Sequence, residues 1–126
     1  MARILVVDDR EDVRLALIAL LEDAGHEVFA AEDGSEVMEM TLSGQPDLIL
    51  LDIVMPRVDG FETLRRLKTD ERTDGVPVVI VTARSRAQDL ARAWALGALD
   101  YISKPWVDGE VELRVGWALA SPGERV

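Results

Sequence analysis

The sequence of 126 residues has no cysteine and a single histidine, His26. The first absence removes disulfides, thiolate catalysis and zinc or iron–sulfur centres held by sulfur. The second removes a two-histidine zinc helix and histidine-rich metal sites. Any metal here must be held by oxygen, which points to Mg²⁺ or Ca²⁺. Positive charge is also scarce, with 14 Lys and Arg against 24 Asp and Glu and a net charge of -10. So acidic a domain repels a phosphate backbone, and no direct contact with nucleic acid is expected. No apolar run approaches the roughly 20 residues needed to cross a bilayer, so no membrane is expected either. The start, Met1-Ala2-Arg3 followed by Ile4-Leu5-Val6-Val7-Asp8-Asp9, is not a signal peptide, because its apolar stretch is short and runs into two acids. A cytoplasmic protein is the expectation. Repeats, low-complexity segments and linkers are missing too, and the length suits one domain, expected over residues 1–120 with a short polar tail at 121–126.

What is present is alternation. Five apolar runs read as strands, at residues 4–7, 27–31, 48–51, 76–81 and 100–102. The first, third and fourth are almost uninterrupted Ile, Val and Leu, the pattern of strands buried on both faces of a parallel sheet. Helical spacing lies between them. Val13, Leu17, Leu20, Leu21 and Ala24 form one stripe, closed by Gly25. Ser35 is expected to cap a second helix carrying Val37, Met38 and Leu42. Phe61, Leu64 and Leu67 form a third stripe. Leu90, Ala93, Trp94 and Leu96 form a fourth that ends at Gly97. Val111, Val115 and Leu119, with Trp117, form a fifth stopped by Pro122-Gly123. Strand and helix thus alternate five times, which implies an α/β fold: a doubly wound five-stranded parallel sheet with five helices on its two faces. Right-handed crossovers leave few topologies, and strand order 2-1-3-4-5 is the common one at this length.

Ligands of such sheets bind beyond the C-terminal ends of the strands. Asp8 and Asp9 follow strand 1, Asp52 follows strand 3, Thr82 and Ala83 follow strand 4, and Lys104 and Pro105 follow strand 5. Taken singly, each has a simpler reading. Asp8-Asp9 would cap a helix, Asp52 would open a turn before Met55-Pro56, Thr82 would cap a strand end, and Lys104-Pro105 would be a loop. Their coincidence at four strand ends outweighs those readings. Clustered carboxylates raise one another's pKa unless a cation joins them, and Mg²⁺ fits because it takes few protein ligands and keeps several waters. Such a cation leaves positions for phosphate oxygens, Lys104 adds a second positive charge and Thr82 a hydrogen bond. Aspartate forms acyl phosphates, and phosphoryl transfer asks mainly for positioning and charge neutralisation.

These segments resemble the receiver domains of two-component response regulators, the chemotaxis-type flavodoxin-like fold. The resemblance is carried by Ile4 to Asp9, by Pro46-Asp47-Leu48-Ile49-Leu50-Leu51-Asp52-Ile53-Val54-Met55-Pro56 and by Asp59-Gly60-Phe61-Glu62. It continues through Pro77-Val78-Val79-Ile80-Val81-Thr82-Ala83, Gly97-Ala98 and Asp100-Tyr101-Ile102-Ser103-Lys104-Pro105, so that it runs from Arg3 to about Leu119. It implies that Asp52 accepts a phosphoryl group, and that Asp9 and Asp8 hold Mg²⁺, directly and through water, together with Asp52 and the backbone carbonyl of Val54. Thr82, Ala83 and Lys104 would bind the phosphoryl group. Thr82 and Tyr101 would form the switch, Tyr101 turning inward when the threonine moves. It also implies a cis bond before Pro105. The donor would be a histidine kinase or a histidine phosphotransfer protein. The reader would be a downstream protein or output domain on the face made by helix 4, strand 5 and helix 5, with room for a homodimer formed on phosphorylation.

On this reading the chain is no metabolic enzyme, beyond phosphorylating and dephosphorylating itself. Arg84 and the Val54 side chain flank the expected path of attacking water. Two features depart from the family pattern: Arg10, where an acid is frequent, expected to point to solvent, and Trp106, where phenylalanine is common. Of Trp94, Trp106 and Trp117, at least two are expected to pack partly into the core; the alternative is an exposed aromatic patch. His26 is read as an ordinary strand-edge residue. Two other classes stay open. An aspartyl phosphatase is opposed by the short chain and by the lack of an acid two residues after Asp52. A phosphate-independent interaction module is opposed by the intact acids, Thr82 and Lys104.

Overall fold

The structure is a computed structural model, described here for residues 1–120. The expected terminator Pro122-Gly123 and the tail 121–126 lie outside the described residues. Five strands, β1 (Arg3–Val7), β2 (Glu27–Ala31), β3 (Leu48–Leu51), β4 (Val78–Thr82) and β5 (Asp100–Ser103), alternate with α1 (Glu11–Asp23), α2 (Val37–Gly44), α3 (Gly60–Thr69), α4 (Ala87–Ala95) and α5 (Glu110–Ala120). All pairings are parallel, in the order β2-β1-β3-β4-β5.

The continuous apolar runs become the three central strands. Every residue of β3 and β4 is buried, as are the last four of β1. The period-2 alternation of a strand divides these side chains between two cores. Leu5, Val7, Ile49, Leu51, Val78 and Ile80 face α2, α3 and α4, where Val37, Phe61, Leu64, Leu67 and Ala93 meet them. Ile4, Val6, Leu48, Leu50, Val79 and Val81 face α1 and α5, where Leu17, Leu21, Val111, Val115 and Ala118 close the second core. The edge strand β2 is only half-buried.

Several boundaries differ from the sequence reading, each for a local reason. Strand β4 begins at Val78, because Pro77 has no amide hydrogen to give a ladder, and it ends on Thr82, which closes the strand where it was expected to follow it. Asp33, and not Ser35, caps the second helical segment: its carboxylate accepts the Ser35 amide at 2.8 Å and opens a 3-10 turn over Gly34–Glu36 that leads into α2. Helix α1 stops at Gly25 (φ 94°) and α4 at Gly97 (φ 100°), as expected. On α5, Ala118 is buried while Trp117 faces outward and is 60% exposed. Trp94 is 46% exposed, and among the described residues Trp106 alone of the three tryptophans is packed against a core, so the expected packing of two or more is corrected to one.

One glycine is required by packing. A Cβ on Gly60 would stand 2.3 Å from the Cα of Ile53, so α3 can start against the loop after β3 only with glycine there. Asp59 caps that start, accepting the Phe61 amide at 2.9 Å. The contact brings the Ile53 backbone, one residue after Asp52, against the start of a helix.

Candidate functional site

The register sets the site. Val7 pairs with Leu51, so the next residues, Asp8 and Asp52, leave the sheet side by side. The Asp52 amide still donates to the Val7 carbonyl at 3.0 Å, and the Asp8 amide to that of Ala31 at 3.2 Å. On the other side Thr82 pairs with Ser103, and the Lys104 amide extends that ladder to the Thr82 carbonyl at 2.9 Å. This is the point where the order 2-1-3 reverses direction, the expected place for a ligand in a doubly wound sheet.

Lys104 reaches across it. Its ammonium donates to Asp8 Oδ2 at 2.6 Å and to Asp52 Oδ2 at 2.9 Å. The two acid side chains are 1% and 5% exposed, and that of Lys104 14%. Burial pushes the Asp8 carboxyl up, more than the hydrogen bond from Lys104 lowers it. Burial would pull the Lys104 ammonium down, but its bonds to Asp8 and Asp52 outweigh that and hold it above its ordinary range. Facing two carboxylates, the lysine stays charged. The other acid oxygens are fixed by backbone. Asp52 Oδ1 accepts the Val54 amide at 2.9 Å, Asp8 Oδ1 accepts the Arg10 amide at 2.9 Å, and the Asp8 carbonyl accepts the Arg14 guanidinium at 2.9 Å.

Asp9 is exposed at the same rim. Asp8, Asp9 and Asp52 each present one oxygen, all within 4.8 Å of one another, a set of hard donors suited to Mg²⁺. A cleft of about 680 Å³ opens over them, lined by Asp52, Val54, Ala83, Lys104, Arg10 and Trp106, among others. Thr82 is fully buried at its side, and the bond before Pro105 is cis. Tyr101 is buried, 7% exposed, with its hydroxyl donating to the Arg84 carbonyl.

Most of the residues read from the sequence therefore meet in one place. Asp8, Asp9, Asp52, Val54, Ala83 and Lys104 surround the cleft, with Thr82 at the end of β4. Arg84 does not join them. Its guanidinium turns to Asp89 at 3.0 Å and to the ring of Phe61, so Val54 is left at the cleft and the expected place of Arg84 on the water path is corrected. Arg10 pairs outward with Asp12 although its stem lines the cleft. His26 accepts the Ala2 amide at 3.2 Å, at the opposite end of the sheet. Arg14 and Asp89 escaped notice, yet both lie on buried stripes of their helices, Arg14 three residues before Leu17 and Asp89 four before Ala93.

An oxygen-only, lysine-tethered acidic site at the switch point of a flavodoxin-like sheet defines the class of protein. Comparison with known proteins then gives the family: the model of the response regulator receiver domain matches residues 4–115, and the chain belongs to that family. It is 42% identical over 114 residues to protein PilH of Pseudomonas aeruginosa, covering 90% of this chain and 93% of PilH. It is 37% identical over 120 residues to the phosphate regulon transcriptional regulatory protein PhoB of the same organism, of which it spans 52%. Among solved structures, chemotaxis protein CheY4 of Vibrio cholerae superposes with a TM-score of 0.88 at 28% identity, covering 94% of this chain and 99% of that one. Receiver domains are the phosphoacceptor signalling domains of two-component systems. They work between histidine kinases and downstream effectors and bind Mg²⁺ in an acidic pocket. No helix among the described residues is long and apolar enough to cross a membrane.

Proposed function

We propose that residues 1–120 act as a phosphorylation switch in the cytoplasm, with Asp52 as the acceptor. The observation that carries this reading is the Lys104 ammonium, held between Asp8 and Asp52 at the mouth of an open cleft. Asp8, Asp9, Asp52 and the Val54 carbonyl would hold Mg²⁺, which when bound supplies positive charge to phosphoryl oxygens. A carboxylate oxygen of Asp52 attacks phosphorus, the phosphorus–nitrogen bond of a phosphohistidine breaks, and the imidazole leaves with the electron pair and takes a proton. Lys104 neutralises charge on the transferred group, and Thr82 donates a hydrogen bond to it. The Asp52 carboxylate is oriented before the reaction by the Val54 amide and its backbone is tied to Val7, so little reorganisation is asked of it. Ala83 leaves the approach open, being small and at the lining of the cleft. The donor is a histidine kinase or histidine phosphotransfer protein, and the chain has no metabolic substrate of its own.

The new group brings close to two negative charges and three acceptor oxygens. Thr82 and Tyr101 carry the change to α4, β5 and α5, where a downstream protein or a second copy of the chain would read it. Trp94, on α4, and Trp117 and Leu113, on α5, are exposed. The net charge of -10 favours a protein reader over nucleic acid. The test is intact-protein mass after incubation with a small acyl phosphate and Mg²⁺, for the natural chain and for Asp52→Asn. Gain of one phosphoryl group by the natural chain alone, and only with Mg²⁺, is expected. Equal labelling of both proteins would overturn the assignment.

A further inference from the structure

The loop after β4 is tied by one residue in three directions. The Arg84 amide donates to Thr82 Oγ1 at 3.3 Å, the Arg84 carbonyl accepts the Tyr101 hydroxyl, and the Arg84 guanidinium pairs with Asp89 at 3.0 Å. Thr82 and Tyr101 lie on neighbouring strands, and Asp89 lies in the first turn of α4. Arg84 thus touches both proposed switch residues with its backbone and the reading face with its side chain.

The ion pair has an unequal geometry. The Asp89 side chain is only 4% exposed while that of Arg84 is half exposed. Asp89 Oδ2 is buried and has no hydrogen-bond partner, so the carboxylate depends on its other oxygen and on Arg84 for compensation. A buried carboxylate that loses its one cation must find water or a proton, and either outcome shifts the turn that carries it. The guanidinium is held from the far side as well, its carbon 5.7 Å from the centre of the Phe61 ring, on which Arg92 also rests at 4.2 Å. Phe61 is fully packed at the start of α3, so the support is rigid. Burial, and next the Asp89 charge, push the Tyr101 hydroxyl up, which keeps it a protonated donor for the Arg84 carbonyl.

Tyr101 is turned inward while Lys104 is still bound to Asp8 and Asp52. We propose that Arg84, latched to Asp89, is a positioning residue that holds Tyr101 inward before phosphorylation, so that the phosphoryl group stabilises an arrangement this chain already populates. The inference rests on the receiver reading. Its physical content is a bias: a ligand shifts a two-state equilibrium only by its differential affinity, and the latch has moved the starting point. Releasing Arg84 would return Tyr101 to an equilibrium that the phosphoryl group must then pull back.

The chain has a single tyrosine, so the rate of its nitration by tetranitromethane reports the exposure of Tyr101 alone. The natural protein without donor is expected to react slowly. Arg84→Ala is expected to react about tenfold faster, the scale of an ion pair to a buried carboxylate expressed as a local opening equilibrium. Asp89→Asn should fall between the two, and Arg84→Lys, which keeps a cation for Asp89, should stay near the natural rate. Mg²⁺ with beryllofluoride, an analogue of the phosphoryl group, should slow nitration of Arg84→Ala again. Far-UV circular dichroism on each variant separates opening from unfolding, and the conservative pair Asp89→Asn and Arg84→Lys decides the matter if Arg84→Ala fails to fold. The latch is overturned if the natural protein reacts as fast as the urea-denatured chain, if folded Arg84→Ala and Asp89→Asn both react at the natural rate, or if beryllofluoride leaves Arg84→Ala fast although the natural chain takes up a phosphoryl group. Failure of the receiver reading looks different: the natural chain would take up no phosphoryl group from acyl phosphate or from a kinase, while the contrast in nitration without donor would stand.

Discussion

Both ends of the sheet pair a cation with acid, but on very different terms. At the N-terminal end Arg3 pairs with Glu27, its amide donates to Asp47 at 2.8 Å and its Nε to the Gly44 carbonyl at 2.9 Å. The Arg3 and Glu27 side chains are 45% and 48% exposed. At the C-terminal end Lys104 binds two acids that are nearly inaccessible. Water screens the first cluster, so it adds little to stability and needs no special environment. The second keeps two like charges out of water and close together, an arrangement that costs stability and persists only where another requirement fixes it. One ion pair at the first end and two at the second differ less in number than in environment, and burial is what separates a surface tie from a candidate site.

The sharpest way to break this comparison is to remove each cation. Lys104→Ala should lower the unfolding free energy by about 2–3 kcal/mol without Mg²⁺, somewhat less than for a fully buried pair because the lysine remains partly exposed. Urea unfolding measures it, and a loss no larger than at the other end would erase the distinction. Mg²⁺ should take over part of the same work. At ten times its dissociation constant it adds about 1.4 kcal/mol to the natural protein by mass action, and much of that should vanish in Asp9→Asn. Asp8→Asn changes the sign. Removing one buried charge should stabilise the metal-free protein by about 1 kcal/mol while slowing phosphorylation, the usual trade between stability and function. At the N-terminal end, Arg3→Ala should cost only about 0.5 kcal/mol, and molar salt should erase the loss.

A surface pair on α3 gives the smallest effect and a calibration. Arg65, then Arg66, hold the Glu62 carboxyl down to about 2. A depressed carboxylate contributes above its unfolded value, and the contribution fades as pH falls through the folded one. Thermal unfolding of Glu62→Gln should therefore differ slightly from that of the natural chain above the ordinary carboxylate range. The two curves should merge as pH approaches 2. The Glu62 side chain is 37% exposed in this pairing, so a large difference would mean that water-screened pairs matter more than expected.

The frame of the fold was legible because burial on both faces leaves an unmistakable mark. Ile4 to Val7, Leu48 to Leu51 and Val78 to Val81 have no polar residue to spare, and only the middle of a parallel sheet accepts such runs. The acids of the site were legible for the opposite reason, since Asp8 and Asp52 end apolar strands where a buried charge has no structural use. Directions of side chains were not. Nothing in the spacing of Trp94 and Trp117 separates a ring that packs from one that lies outward, because either position borders the apolar stripe. Asp33 and Ser35 are both good caps, and only the backbone geometry chooses between them. Arg84 follows Thr82 by two residues, but its target, Asp89, is an acid on a buried helical stripe, where apolar periodicity gives it no mark.

The central claim, that the buried end of the sheet exists to phosphorylate Asp52, is tested most directly by trapping the product. An acyl phosphate on aspartate is reduced by borohydride to homoserine, which peptide mass mapping locates. After incubation with acyl phosphate and Mg²⁺, homoserine is expected at position 52 and at no other, with none when Mg²⁺ is withheld. Homoserine at Asp8 or Asp9, or an unmodified chain after both small-molecule and kinase donors, would contradict the account.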